Sequence, residues 1–141
     1  MTDTDQPTLA AALGQVRVVS REAGRAVIEF EVAPHMCHSG GVAQGGFVCA
    51  WIDAAMANAA GSLAPDMAPM TLELKVSYFD PVRPGLVTAE AWIERPGRVT
   101  CFAEGRLIGP DGRTSLAKGS STIRLVPREA VTASSRRALG E

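Results

Sequence analysis

His38-Ser39-Gly40-Gly41-Val42-Ala43-Gln44-Gly45-Gly46 runs directly into the apolar segment Phe47–Ala60 (FVCAWIDAAMANAA), in which Asp53 is the only charged residue. A carboxylate on a nearly all-apolar helix is costly unless it is paired, hydrogen-bonded or used. The glycine-rich loop feeding that helix brings backbone N–H groups to its positive end, where negative charge is stabilised. One segment therefore offers both an oxyanion site and an acid or base, a combination that points to acyl chemistry.

Outward from this segment, a helix that is apolar nearly all round has to be enclosed, and a single curved sheet folded about it is an economical enclosure. The flanking sequence supplies the strands. Arg17–Ser20 and Arg25–Val32 are rich in β-branched residues that alternate with charges, with Arg21–Gly24 between them, which predicts a hairpin. Pro34–Gly46 is long for a loop in a small domain, and long ordered loops tend to carry function. After Gly61–Pro69 come four strand-like segments, Met70–Phe79, Leu86–Glu94, Val99–Ile108 and Thr114–Leu125. Alternation in Leu72-Glu73-Leu74-Lys75-Val76 and in Ala89–Glu94 fits an antiparallel sheet with one buried face. Gly109–Arg113 (GPDGR) is a strong turn sequence. Residues 8–16 are compatible with a short helix that breaks near Gly14, and Glu129–Glu141 reads as a frayed tail. The predicted order is hairpin, long loop, helix, then four antiparallel strands: an α+β fold.

The chain has 141 residues, enough for a single domain at 1–141 with a real core. With 14 basic and 15 acidic side chains its formal net charge is −1, and no block of like charge precedes Arg136-Arg137. Nothing electrostatic marks nucleic acid or a membrane as a partner. No basic region followed by a long apolar run opens the sequence, and no apolar run reaches the roughly 18 residues of a membrane helix. A cytoplasmic location is expected. Cys37, Cys49 and Cys101 are an odd number without a secretory signal, which predicts reduced thiols; Cys49 is most simply a small core residue.

From roughly Ile28 to Val126 the chain resembles the hotdog-fold acyl-CoA thioesterases of the phenylacetate-degradation, PaaI-like type. That family's pattern places an Asn, then Gly, then His-Gly-Gly, with an Asp nine residues after the His inside the central helix. Here the same step runs from Gln44 to Asp53, and the turn Pro81–Gly85 (PVRPG) is also similar to the family's. Two positions depart from the pattern: His38 stands at the family's Asn and Gln44 at its His, both still able to hydrogen-bond. The resemblance implies a hotdog fold, a curved antiparallel sheet wrapped around a central helix, and hydrolysis of an acyl-CoA thioester without a metal or other cofactor.

The resemblance assigns Asp53 as nucleophile or general base and Gly45 as the backbone donor to the oxyanion. His38 and Gln44 either position the thioester or order their own loop. At Thr71 the family often has a Ser or Thr that orients the carboxylate or a water. Arg83, Arg95, Gly97 and Arg98 fall in turns where the family contacts the phosphates and adenosine of coenzyme A; Arg124 is a weaker candidate. The spacing of Gly45 and Asp53 adds an independent step. Eight residues of helix separate them by about 12 Å along the axis, too far for one thioester carbon to meet both. If both serve one site they come from different subunits, which predicts a homodimer with two symmetry-related sites; the resemblance implies the same, often doubled into a dimer of dimers.

Other chemistries are poorly supported. His35, Cys37 and His38 lack a second cluster to complete a zinc site, and no G-x-S-x-G elbow surrounds Ser39. Phe47, Trp51 and Met56 either wall an acyl tunnel or belong to the core. A non-catalytic acyl-CoA-binding or regulatory module is the alternative function. The hydratase branch of the fold relies on a His, and none lies on the central helix or the later strands.

Overall fold

A computed structural model describes residues 7–140. Six strands form one antiparallel sheet in the order β1-β2-β4-β5-β6-β3. They are β1 (Gln15–Glu22), β2 (Arg25–Val32), β3 (Met67–Tyr78), β4 (Gly85–Arg95), β5 (Thr100–Ile108) and β6 (Ser115–Pro127). The helix α2 (Gly45–Leu63) lies on the concave face, flanked in sequence by the single turn α1 (Leu9–Ala12) and by α3 (Arg128–Ala138). This is the hotdog fold.

The hairpin forms as expected, closed by Ala23 and Gly24 with φ of 51° and 76°, the left-handed pair that matches the twist of the two strands. The N-terminal helix is shorter than residues 8–16. Gly14, at φ 72°, ends it and β1 starts at Gln15. β3 is an edge strand, paired only with β6, and it accommodates Pro69 because an edge can lose an N–H donor. Its register slips between Thr71 and Glu73, so Leu72 stands out at 61% exposure.

Residues 129–138 are not a frayed tail: they belong to α3, which Arg128 ties back by donating its N–H to the Asp66 carbonyl at 3.2 Å. Glu129 in the first turn and Arg136 and Arg137 in the last complement the helix dipole. The helix buries no residue.

α2 closes on the sheet through Val48, Trp51, Ile52, Ala55, Met56 and Ala59, all buried. Trp51 stands 6.1 Å from the rings of both Phe30 and Phe47, and its indole N–H donates to the Leu13 carbonyl at 2.8 Å, anchoring the N-terminal segment. The close approach depends on glycine: a Cβ on Gly105 or Gly119 would meet Cγ2 of Ile52 at 3.1 or 3.0 Å. Trp51 and Met56 are therefore core rather than tunnel wall. The opposite side of α2, with Cys49, Ala50, Asp53, Ala54, Ala57 and Asn58, is only half-buried. A single chain covers one side of its helix.

Candidate active site

Asp53 sits in the third turn of α2, on the half-buried side. Thr71, on the edge strand, donates its hydroxyl to Oδ1 of Asp53 at 2.7 Å. The carboxylate is thus oriented, with its second oxygen left for other work. It opens onto a mostly apolar depression of about 510 Å³ between α1 and α2, lined also by Leu9, Ala10, Leu13, Gln15, Ala50 and Ala54.

The start of α2 is set by Gln44, which takes the N-cap position with extended backbone. Its side-chain oxygen accepts the Gly46 N–H at 2.8 Å, and its carbonyl accepts the Phe47 N–H at 2.9 Å. This cap lets the helix begin at Gly45, two residues ahead of the predicted Phe47. Gly45, the first helical residue, has no intrahelical partner for its N–H and takes none elsewhere among the described residues. An unsatisfied donor at the positive end of a long helix is the element an oxyanion requires.

Two expected site residues turn out to order the loop. His38 exchanges backbone hydrogen bonds with Gly41 and Val42, at 2.9 and 3.0 Å, and its Nδ1 accepts the Gly40 N–H at 3.2 Å. Gln44 spends its side-chain oxygen on the cap. Ala43 donates to the Val82 carbonyl at 2.7 Å, fastening the loop to the β3–β4 turn.

Two residues outside the predicted set join the start of α2. Oη of Tyr78, at the end of β3, donates to the Gly45 carbonyl at 2.7 Å and lies 3.0 Å from Sγ of Cys49. Cys49 is thus a half-buried contact of Tyr78 at the start of α2 and not a core residue. Burial, followed by the neighbouring Cys49 thiol, pushes the Tyr78 phenol up to about 12. The signal in the sequence was the inward phase Leu74, Val76, Tyr78, which aims the last of them at the helix. All three cysteines are unpaired, and burial raises the Cys101 thiol.

The structure does not gather the four expected coenzyme A residues within one chain. Arg83 lies in the β3–β4 turn, beside the N-terminal end of α2. Arg95 closes β4, and Gly97 and Arg98 occupy the β4–β5 turn, where they line an apolar recess of about 520 Å³ with Ala60, Leu63 and Leu125 near the other end of the helix. Gly97 has a steric reason of its own, since a Cβ there would strike the Thr100 carbonyl at 1.9 Å. Gly45 and Asp53, eight residues apart on one helix, do not converge within the chain either.

A curved sheet around one long helix, with a carboxylate in mid-helix and a free N–H at its start, defines a hotdog-type acyl-transfer scaffold. The profile of the Thioesterase superfamily matches residues 40–116, more than half of the chain. A Saccharolobus solfataricus protein named "Putative esterase SSO2140" is 32% identical over 98 residues, 70% of either chain. Among solved structures, the conserved protein PA5202 from Pseudomonas aeruginosa superposes with a TM-score of 0.78 at 28% identity, covering 86% of this chain and 95% of its own. A mutant form of the phenylacetic acid degradation protein PaaI from Thermus thermophilus gives a TM-score of 0.73 at 28% identity, covering 82% and 96%. The chain belongs to the Thioesterase superfamily, and proteins of phenylacetic acid degradation are among the solved structures that share its fold.

Proposed function

We propose that this protein hydrolyses acyl-CoA thioesters to the free carboxylic acid and coenzyme A. The observation that carries this reading is the Asp53 carboxylate held by Thr71 at 2.7 Å in a largely apolar depression, on a helix whose first N–H is unsatisfied. Family membership supports thioester hydrolysis in general; the carboxylate and the coenzyme A leaving group are the finer step.

In the reaction, the thioester carbonyl oxygen accepts the Gly45 N–H as its charge develops. Asp53 either attacks the carbonyl carbon, giving an anhydride that water opens, or takes a proton from the attacking water. The C–S bond breaks in both routes, and the sulfur leaves as coenzyme A thiol after gaining a proton. No metal or redox group is needed for either.

The two groups belong to different subunits of a homodimer. About 12 Å of helix separates them in one chain. The half-buried side of α2 and the open edge of β3, with Met70, Leu72, Tyr78 and Phe79 exposed, supply apolar surface for a second copy. Sharing also offers a way to bring Arg83 of one chain towards Arg95 and Arg98 of another around one coenzyme A, and it is compatible with a dimer of dimers. Among the described residues no helix is long and apolar enough to cross a membrane; we place the activity in the cytoplasm.

Thiol release from a panel of short, medium-chain and aromatic acyl-CoAs, measured for the wild type and Asp53→Asn, tests the reading. Loss by several orders of magnitude in a folded Asp53→Asn protein supports it. Binding without release by the wild type supports the alternative, an acyl-CoA-binding regulatory module. One observation favours that alternative: Nδ1 of His38 and the side-chain oxygen of Gln44 are taken by their own loop.

A further inference from the structure

β3 ends where α2 begins, and the contact between them is one phenol. Tyr78 is half-exposed, at 51%, so its hydroxyl had water within reach, yet it turns inward to the Gly45 carbonyl at 2.7 Å. That carbonyl already accepts an N–H from the next turn of the helix, as every interior helical carbonyl does, so the phenol occupies its second lone pair. The ring also sits directly over Gly45: a Cβ there would meet Oη at 3.1 Å. Cys49, one turn further on, touches the same oxygen at 3.0 Å.

First turns of helices fray because their donors lack partners. Gln44 caps Gly46 and Phe47, and through the planar peptides these bonds order both sides of Gly45 locally, but neither ties the turn to the sheet. The only side-chain bond to Gly45 among the described residues comes from Tyr78. We infer that Tyr78 is a positioning residue, which ties the first turn of α2 to the end of β3 through the Gly45 carbonyl and so fixes where the Gly45 N–H meets the thioester oxygen. This rests on the acyl-CoA hydrolase reading. Tyr78 takes no proton in the reaction, and its phenol stays protonated across neutral pH, so the clamp does not titrate where the enzyme works.

The variant that isolates the clamp is Tyr78→Phe, which keeps the ring and removes the hydroxyl. With an acyl-CoA that the wild type hydrolyses, kcat is expected to fall about tenfold, the loss of one hydrogen bond that matters in the transition state. KM, and the affinity for a non-hydrolysable coenzyme A thioether, should stay within about twofold, because the bond acts on the oxyanion donor and not on substrate binding. Gly45→Ala provides a second approach, since its methyl would crowd the phenol oxygen at 3.1 Å while leaving the N–H in place. The double variant Tyr78→Phe/Gly45→Ala should then be no worse than the poorer single one. An unchanged kcat with a lowered melting temperature in Tyr78→Phe, a loss carried in KM alone, or additive losses in the double variant would overturn the inference. Absence of hydrolysis by the wild type would defeat the hydrolase reading and this inference with it; wild-type hydrolysis with an indifferent Tyr78→Phe defeats the inference alone.

Discussion

Thr71 donates its hydroxyl to Oδ1 of Asp53 at 2.7 Å, so the edge strand of the sheet reaches across to hold the carboxylate in mid-helix. Asp side chains on helices have several accessible rotamers, and a hydrogen bond from a residue on another element selects one of them. Thr71→Val keeps the shape and removes the donor. Its kcat for acyl-CoA hydrolysis is expected to fall at least tenfold with KM little changed, since bonds to a charged group contribute about 1.5–3 kcal/mol. Steady-state kinetics on the folded variant decide it: full activity would mean that Asp53 needs no such orientation.

Sharing of the site between subunits has a sharp test in complementation. Gly45→Pro removes the proposed oxyanion donor and crowds the Tyr78 phenol, yet keeps the helix, because proline is accepted at the first position of a helix and Gln44 before it already has the extended backbone, φ −62° and ψ 137°, that proline demands of its predecessor. Asp53→Asn removes the carboxylate. Each homodimer should be nearly inactive. Mixed under conditions that exchange subunits, half the dimers are heterodimers with one intact site of two, so the mixture should recover about a quarter of wild-type activity. No recovery, with heterodimers verified by mass, would place both groups in a single chain.

How far the sequence went depended on whether a residue's role was local. The hairpin and the strand alternation follow from a period of 2, the central helix from an apolar run with a single charge, and the Asp53–Thr71 pair from motif position. The start of α2 at Gly45 was missed because glycines weaken a helix forecast, and only the tertiary fold shows Gln44 capping it. Tyr78 lies outside that reading for a related reason: its phase with Leu74 and Val76 gives its direction, but its partner is 33 residues away and only the tertiary fold brings the two together. His38 and Gln44 stand out as polar loop residues, and their side chains bond to the backbone of their own loop, a role that only the folded loop reveals. The tail was misjudged because Ala, Ser and Arg suit both a solvated coil and an exposed helix, and its dock at Asp66 is again long-range.

Arg98 is exposed in the β4–β5 turn at the rim of the apolar recess. If it meets a phosphate of coenzyme A, Arg98→Ala should raise KM about tenfold for an acyl-CoA, the value of one charge-assisted contact. The increase should shrink at high salt, where exposed charges are screened. For the same acyl group on a truncated thiol lacking the phosphates, KM should not change. A comparable rise with the truncated substrate would show that Arg98 supports the turn and not the ligand.

Tyr78 is the single tyrosine of the chain, so the ultraviolet absorbance of phenolate reports on it alone. Its phenol is pushed up to about 12 by burial and, after that, by the Cys49 thiol, against about 10 for a free tyrosine. The folded chain therefore holds this proton more tightly than the unfolded one. The sign follows from linkage: the resulting stabilisation is fully present below about pH 10, and is lost as pH rises from there through about 12. Because the ring is half-exposed, solvent screening reduces the energy, and the position of the window is the stronger test. Spectrophotometric titration should give a midpoint near 12 in the folded protein and near 10 in denaturant. Urea unfolding should show a stability gap between the wild type and Tyr78→Phe that is constant up to about pH 10 and narrows above it. A folded-state midpoint near 10, or a gap that widens with pH, would mean that the phenol is free in solution and that the bond to Gly45 does not persist.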